Sequence, residues 1–139
     1  METIEFGETY KYDTMLVGIT VPVALFDGAE SSAFKAKIDT GSSFCIFERK
    51  NGERLGLNIE SGEEIRISTA TDDFTAYGHE LTMFVLGIET YTKVYFAREE
   101  WFTRNVLGRQ GWLDRVKLEL IDYEGKMLLG VFDEQITSL

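Results

Sequence analysis

The 139-residue sequence holds one cysteine, one histidine and one proline. A lone thiol, Cys45, excludes an internal disulfide, and a lone imidazole, His79, leaves no Cys/His set with zinc spacing, so no metal site is expected. Basic residues are scarce: 14 Lys and Arg against 24 Asp and Glu give a formal net charge of −10. Phosphate backbones and anionic membrane surfaces repel so acidic a chain, which argues against nucleic-acid and membrane partners; the plainer meaning of the charge is solubility. No apolar run approaches the roughly 18 residues of a membrane-spanning helix, and no basic N-terminal segment leads into an apolar stretch. The expectation is a soluble cytoplasmic protein.

What remains is ordinary globular composition, 44% hydrophobic and 27% charged, in a length that fits a single domain over residues 1–139 with a core at about 15–132. Ten Phe, six Tyr and two Trp supply that core, although a chain of this size buries only about two-thirds of its unfolded surface, so self-association would help. Met15 to Phe26 is β-branched and apolar and reads as a strand, with Pro22 placing it at an edge or bulge. Asp27-Gly28 is a turn signal, after which Phe34 to Ile38 alternates like a returning strand. Glu48 to Leu57 suits a short helix or a loop. Glu64 to Thr71 and Thr75 to Leu86 read as a hairpin with Asp72-Asp73 at its tip; Leu86-Gly87-Ile88-Glu89 is a turn and Lys93 to Ala97 a strand. Arg109 to Arg115 is the best candidate for a short helix, and Val116 to Asp122 and Lys126 to Val131 flank a last turn at Tyr123-Glu124-Gly125. Strands at this spacing mean an all-β barrel or sandwich.

The informative stretch is Ala36-Lys37-Ile38-Asp39-Thr40-Gly41-Ser42-Ser43. An apolar strand end delivers a carboxylate into a turn of small residues. Gly41 permits close backbone approach, and the hydroxyls of Thr40, Ser42 and Ser43 can satisfy polar groups beside it. Such a turn can hold a carboxylate rigidly for chemistry; it can equally be a common turn, or Asp39 can cap a following helix.

Asp39-Thr40-Gly41-Ser42 resembles the signature of aspartic peptidases, in which an apolar strand feeds the catalytic Asp. Val106-Leu107-Gly108-Arg109-Gln110-Gly111-Trp112-Leu113 is similar to the family segment of two apolar residues, a glycine and a short helix that packs across the Asp-Thr-Gly loop. Between them, Ile65 to Tyr77 falls where the family has its flap. The order of these features identifies the chain as a member of the retropepsin-like branch, which implies an all-β acid-protease barrel with one short helix after Val106-Leu107-Gly108. Pepsin-like chains are longer and carry two Asp-Thr-Gly loops; this chain carries one. The resemblance therefore implies a homodimer with one Asp39 from each copy across a two-fold axis, acting as an aspartic endopeptidase. Two adjacent carboxyls share a proton, one activating a water and the other polarising the scissile carbonyl. No cofactor is implied. Thr40, Gly41 and Ser42 would support the loop, with Thr40 either tying the two loops together or bonding locally. Thr69, Ala70, Thr71, Asp72, Asp73 and Phe74 would form the flap over an extended peptide or protein substrate.

Three departures stand beside the resemblance. In many family members the Arg at the place of Arg109 pairs with an Asp two residues after the catalytic glycine; Ser43 stands there, which leaves Arg109 as an ordinary helix residue. The flap tip lacks the family's glycines, and Asp72-Asp73 reads equally as a solvated turn. Family chains end in a strand that interleaves with its partner, whereas Phe132 to Leu139 is partly polar. The acidic flap tip and the missing acidic partner for Arg109 support an alternative function, a catalytically silent module that binds peptides or a partner, and fold alone does not choose between the two. His79 reads as a surface strand residue, Cys45 as inert core, and Trp101, Phe102 and Trp112 as core or interface anchors.

Overall fold

A computed structural model describes residues 7–131. In chain order the strands are β1 (Glu8–Lys11), β2 (Thr20–Asp27), β3 (Glu30–Ile38) and β4 (Ile46–Phe47), followed by the helix α1 (Arg49–Glu53). Then come β5 (Glu63–Ser68), β6 (Asp73–Val85), β7 (Ile88–Ala97), β8 (Val106–Leu107), β9 (Val116–Ile121) and β10 (Lys126–Val131). The stretch 132–139, which carries the sequence expectation about the C-terminus, lies outside the described residues.

Turn chemistry sets the hairpins. Gly28 takes a left-handed φ of 61° between β2 and β3, whose register runs from Asp27↔Glu30 to Thr20↔Lys37. Leu86 and Gly87 are both left-handed (φ 47° and 84°), the geometry of a two-residue turn matched to strand twist, and they join β6 to β7 at Val85↔Ile88. Strand order in the larger sheet is β2-β3-β8-β4-β7-β6-β5, and a further pairing of Val23–Phe26 with Thr82–Val85 joins β2 to β6. That pairing closes six strands into a ring and leaves β5 outside, held by β6 alone. Pro22 sits just before the closure, on a stretch of β2 paired only with β3, where a missing N–H costs nothing.

Alternation delivers the core. Val21, Val23 and Leu25 of β2 point inward with Leu81, Met83 and Val85 of β6, and meet Phe47, Phe96, Leu107 and Trp112. A second apolar cluster, Ile46, Phe74, Ala76, Tyr95, Ala97, Phe102 and Val106, lies on the other side of β4 and β7. Buried Asn51 of α1 donates to Asn105 Oδ1 (3.0 Å), and Asn105 in turn donates to Glu48 Oε1 (2.8 Å), which fixes the chain entering β8.

Four sequence expectations change. The strand expected from Met15 begins only at Thr20: the Asp13 carboxylate accepts the Met15 N–H (2.9 Å), Gly18 is left-handed (φ 81°), and this turn leaves Met15 and Val17 87% and 89% exposed. The helix expected over Arg109–Arg115 is a turn followed by a single 3-10 turn, Leu113–Arg115, because Gly111 stands at φ 106°, which an α-helix cannot contain. Asp73 belongs to β6 and pairs with Ser68, so the hairpin tip is Thr69–Asp72. The three-stranded sheet β1-β10-β9, in which Glu8 faces Leu129, was not anticipated at its first strand.

Candidate active site

Asp39 follows the last residue of β3 and is half-buried. Its position is set by backbone. Asp39 N–H donates to Leu107 C=O (3.0 Å), Ser42 N–H to Asp39 C=O (3.1 Å), and Gly41 N–H to Asp39 Oδ1 (2.9 Å). The Ser42 hydroxyl donates to Phe44 C=O (2.7 Å) and closes the loop. Thr40 and Gly41 are exposed at its lip.

Behind the loop, β8 runs between β3 and β4, parallel to the first (Lys37↔Val106, Ile38↔Leu107) and antiparallel to the second (Ile46↔Val106). The chain then passes under the loop, where Arg109 N–H donates to Ser42 C=O and Gln110 N–H to Ser43 C=O, both at 2.9 Å. Gly108 makes this possible. A Cβ there would stand 2.2 Å from Phe44 O and 2.7 Å from Ser42 O, backbone atoms that cannot swing aside. Val106 and Leu107 are buried, whereas the Arg109 side chain is exposed and has no ion-pair partner among the described residues.

A cleft of about 290 Å³ opens beside the loop. Asp39, Gly41, Ser42 and Ser43 line one side, and Ile67, Ser68, Thr69 and Phe74 of the β5–β6 hairpin line the other. Ile46, Phe102 and Val106 make an apolar wall, with Phe74 and Phe102 rings 4.7 Å apart. Of the expected flap residues, Thr69 and Phe74 reach the cleft, whereas Ala70, Thr71 and Asp72 form the tip beyond it. Thr69 organises that tip: its N–H donates to Asp72 C=O (2.7 Å) and its hydroxyl accepts the Asp72 N–H (2.9 Å).

Arg66 and Arg104 also line the cleft; Arg66 lies in the expected flap segment but was not singled out, and Arg104 carried no signal in the sequence. Arg66 forms a bidentate pair with Asp73 (2.8 and 2.9 Å), and the Arg66 guanidinium holds the Asp73 carboxyl below its usual range. Arg104 lies over the Phe102 ring, 5.0 Å from its centre, and meets Asp72 of the tip at 3.5 Å. Phe44 and Ile46 were equally unmarked, and Ile67 was marked only as part of the flap segment. Their signal was present in part as strand alternation, but which face met a cleft depended on the pairing.

Cys45 is fully buried, and burial pushes its thiol up to about 12, as expected of inert core. His79 is half-buried rather than a surface residue: its Nε2 lies 2.9 Å from the Ile59 carbonyl, which can only accept, so that nitrogen carries a proton. Trp112 and Phe102 are core, while Trp101 is 53% exposed. No cluster of three or more His, Cys, Asp or Glu placed to hold a metal ion occurs among the described residues, and no helix there is long and apolar enough to cross a membrane.

Residues 21–130 match the family model described as aspartyl protease. Among solved structures, the chain is similar to the EIAV protease complexed with the inhibitor HBY-793, with a TM-score of 0.51 and 18% identity over 67% of this chain and 83% of that one. At that identity the likeness is one of fold. No curated protein matches the chain.

Proposed function

The chain belongs to the aspartyl protease family, and from that premise we propose that it hydrolyses peptide bonds with a water held between two Asp39 carboxyls, one from each copy in a homodimer. One observation carries the reading: Asp39 is the only carboxylate among the described residues that line the cleft, and it sits on a loop held by backbone bonds. A single carboxyl cannot be ionised to take a proton from water and protonated to hydrogen-bond the scissile carbonyl oxygen in the same step. A second, supplied by symmetry, completes the set.

In the dimer the chemistry follows from geometry. Asp39 Oδ1 accepts the Gly41 N–H, which fixes the plane of the carboxyl and leaves acceptor sites on both oxygens for water. Two carboxyls a few ångströms apart do not both ionise, so one carries the shared proton. The ionised member takes a proton from the water as its oxygen attacks the scissile carbonyl carbon. The protonated member hydrogen-bonds the carbonyl oxygen as charge develops there. Collapse of the intermediate breaks the C–N bond and returns a proton to the amine. The β5–β6 hairpin covers the cleft, and the apolar wall of Ile46, Phe102 and Val106 takes a peptide side chain.

Digestion of an unbiased peptide library between pH 3 and 7 tests the chemistry. Cleavage by the wild-type chain that drops roughly a hundred- to ten-thousand-fold in Asp39→Asn is expected; cleavage that survives the substitution sinks the mechanism. Light scattering tests the symmetry, and a strict monomer at high concentration counts against a shared pair. Peptide binding without any cleavage would favour the silent binding module.

A further inference from the structure

Resting on the reading of this cleft as a peptide site, we propose that Arg104 selects an acidic side chain in the bound peptide. The first support is a local inversion of charge. The chain carries a net charge of −10, yet the charged residues among those lining the cleft are Asp39, Arg66 and Arg104, two guanidiniums to one carboxyl.

The two arginines are not equivalent. Arg66 is committed, its fork closed on both oxygens of Asp73 at 2.8 and 2.9 Å. Arg104 has one carboxylate contact among the described residues, a single 3.5 Å approach to Asp72, at the outer limit of a hydrogen bond. A guanidinium presents five donors in a planar fork that fits a carboxylate with two parallel bonds, so most of its capacity is open.

Its position does not depend on Asp72. The guanidinium carbon lies 5.0 Å from the centre of the Phe102 ring, which is itself 4% exposed. The next residue, Asn105, is fixed from three sides: its C=O accepts the Lys37 N–H (2.8 Å), its Oδ1 accepts the Glu48 N–H (2.9 Å), and its Nδ2 donates to Glu48 Oε1 (2.8 Å). An acidic peptide side chain can lay its methylenes on Phe102 and Val106 and its carboxylate on the Arg104 fork. Asp72, at the tip of the hairpin, then acts as an occupant that the peptide displaces.

The test uses pairs of fluorescent extended peptides identical except for Glu or Gln at one position, with that position scanned along the peptide. Binding is measured by polarisation to Asp39→Asn, and to the same chain carrying Arg104→Gln or Asp72→Asn. One position is expected at which Glu binds about two- to five-fold more tightly than Gln, the range of a partly solvated ion pair. Arg104→Gln abolishes that ratio and Asp72→Asn increases it. Glu and Gln binding alike at every position, or a preference that persists in Arg104→Gln, overturns the proposal. An acidic preference without wild-type cleavage leaves the role of Arg104 standing and removes only the peptidase reading; failure of every peptide to bind overturns both.

Discussion

The two sides of the cleft are built on different physics. On one side the Asp39 loop is held by main-chain bonds to Leu107, Arg109 and Gln110 and by the bare Cα of Gly108, over a core that includes Leu107 and Trp112. On the other side the β5–β6 hairpin projects from the ring on β6 alone. Its tip is tied by exposed side chains: Arg66 to Asp73, Arg104 to Asp72, and the hydroxyl of Thr69. Buried backbone contacts are insensitive to pH and salt, whereas exposed ion pairs are weak and screened. The side that carries the carboxyl is thus rigid, and the side that must admit a peptide is loosely latched.

Removing the support beneath the loop should break this contrast most severely. Trp112 is 1% exposed, and Trp112→Ala is expected to cost about 3–5 kcal/mol in a denaturant titration. A cost under about 1 kcal/mol would show that the core beneath the loop is not what makes it rigid. Gly108→Ala comes next. Its methyl must displace the Phe44 carbonyl, so about 1–3 kcal/mol of destabilisation is expected, with faster hydrogen exchange at the Asp39, Arg109 and Gln110 amides. Unchanged exchange there would contradict the packing described.

The smallest effect lies on the opposite side. Arg66 lowers the Asp73 carboxyl, chiefly through their hydrogen bonds. The pair therefore steadies the hairpin above the ordinary carboxylate range and releases it as pH falls through the lowered value. Relative to the intrinsic rate at each pH, amide exchange across residues 67–74 should rise in that acid window, while exchange at the Asp39, Arg109 and Gln110 amides, which donate to backbone carbonyls, stays level. Arg66→Ala should remove the pH dependence. Equal acid sensitivity on both sides would erase the distinction between them.

Much of the fold was legible because its turns are local. Asp27-Gly28 and Leu86-Gly87 in the ring, and Gly125 in the smaller sheet, each declare a reversal in two or three residues, and the strands beside them alternate. The Asp39 loop was legible for the same reason, together with its resemblance to a known signature. Other features turn on local signals that compete with the apolar pattern, or on partners remote in sequence. Met15-Leu16-Val17 is apolar enough for a strand, but Asp13 and Gly18 turn it out to solvent. The residues after Gly108 look helical until Gly111 is seen at φ 106°. The one α-helix among the described residues is Arg49–Glu53, inside the stretch expected to be a short helix or a loop, where Gly52 lets Ile59 and Phe96 close to within 2.5 and 2.9 Å of its missing Cβ. Arg104 lies in no motif and Arg66 only within the expected flap segment, and the approach of the hairpin to the chain before β8 is what makes them neighbours of Asp39.

The three-stranded sheet bears on how the chain acquires its structure. β10 is bonded on both sides, to β9 through a short turn and to β1 from the opposite end of the chain, with Tyr12 reaching Asp122 through its hydroxyl at 2.8 Å. As the chain emerges from the ribosome, the ring strands from β2 to β8 can find one another first, while Glu8–Lys11 waits for a partner made after them all. Docking of β1 is therefore a late event with a long loop to close, and a nascent chain stopped before Lys126 leaves β1 without its partner strand.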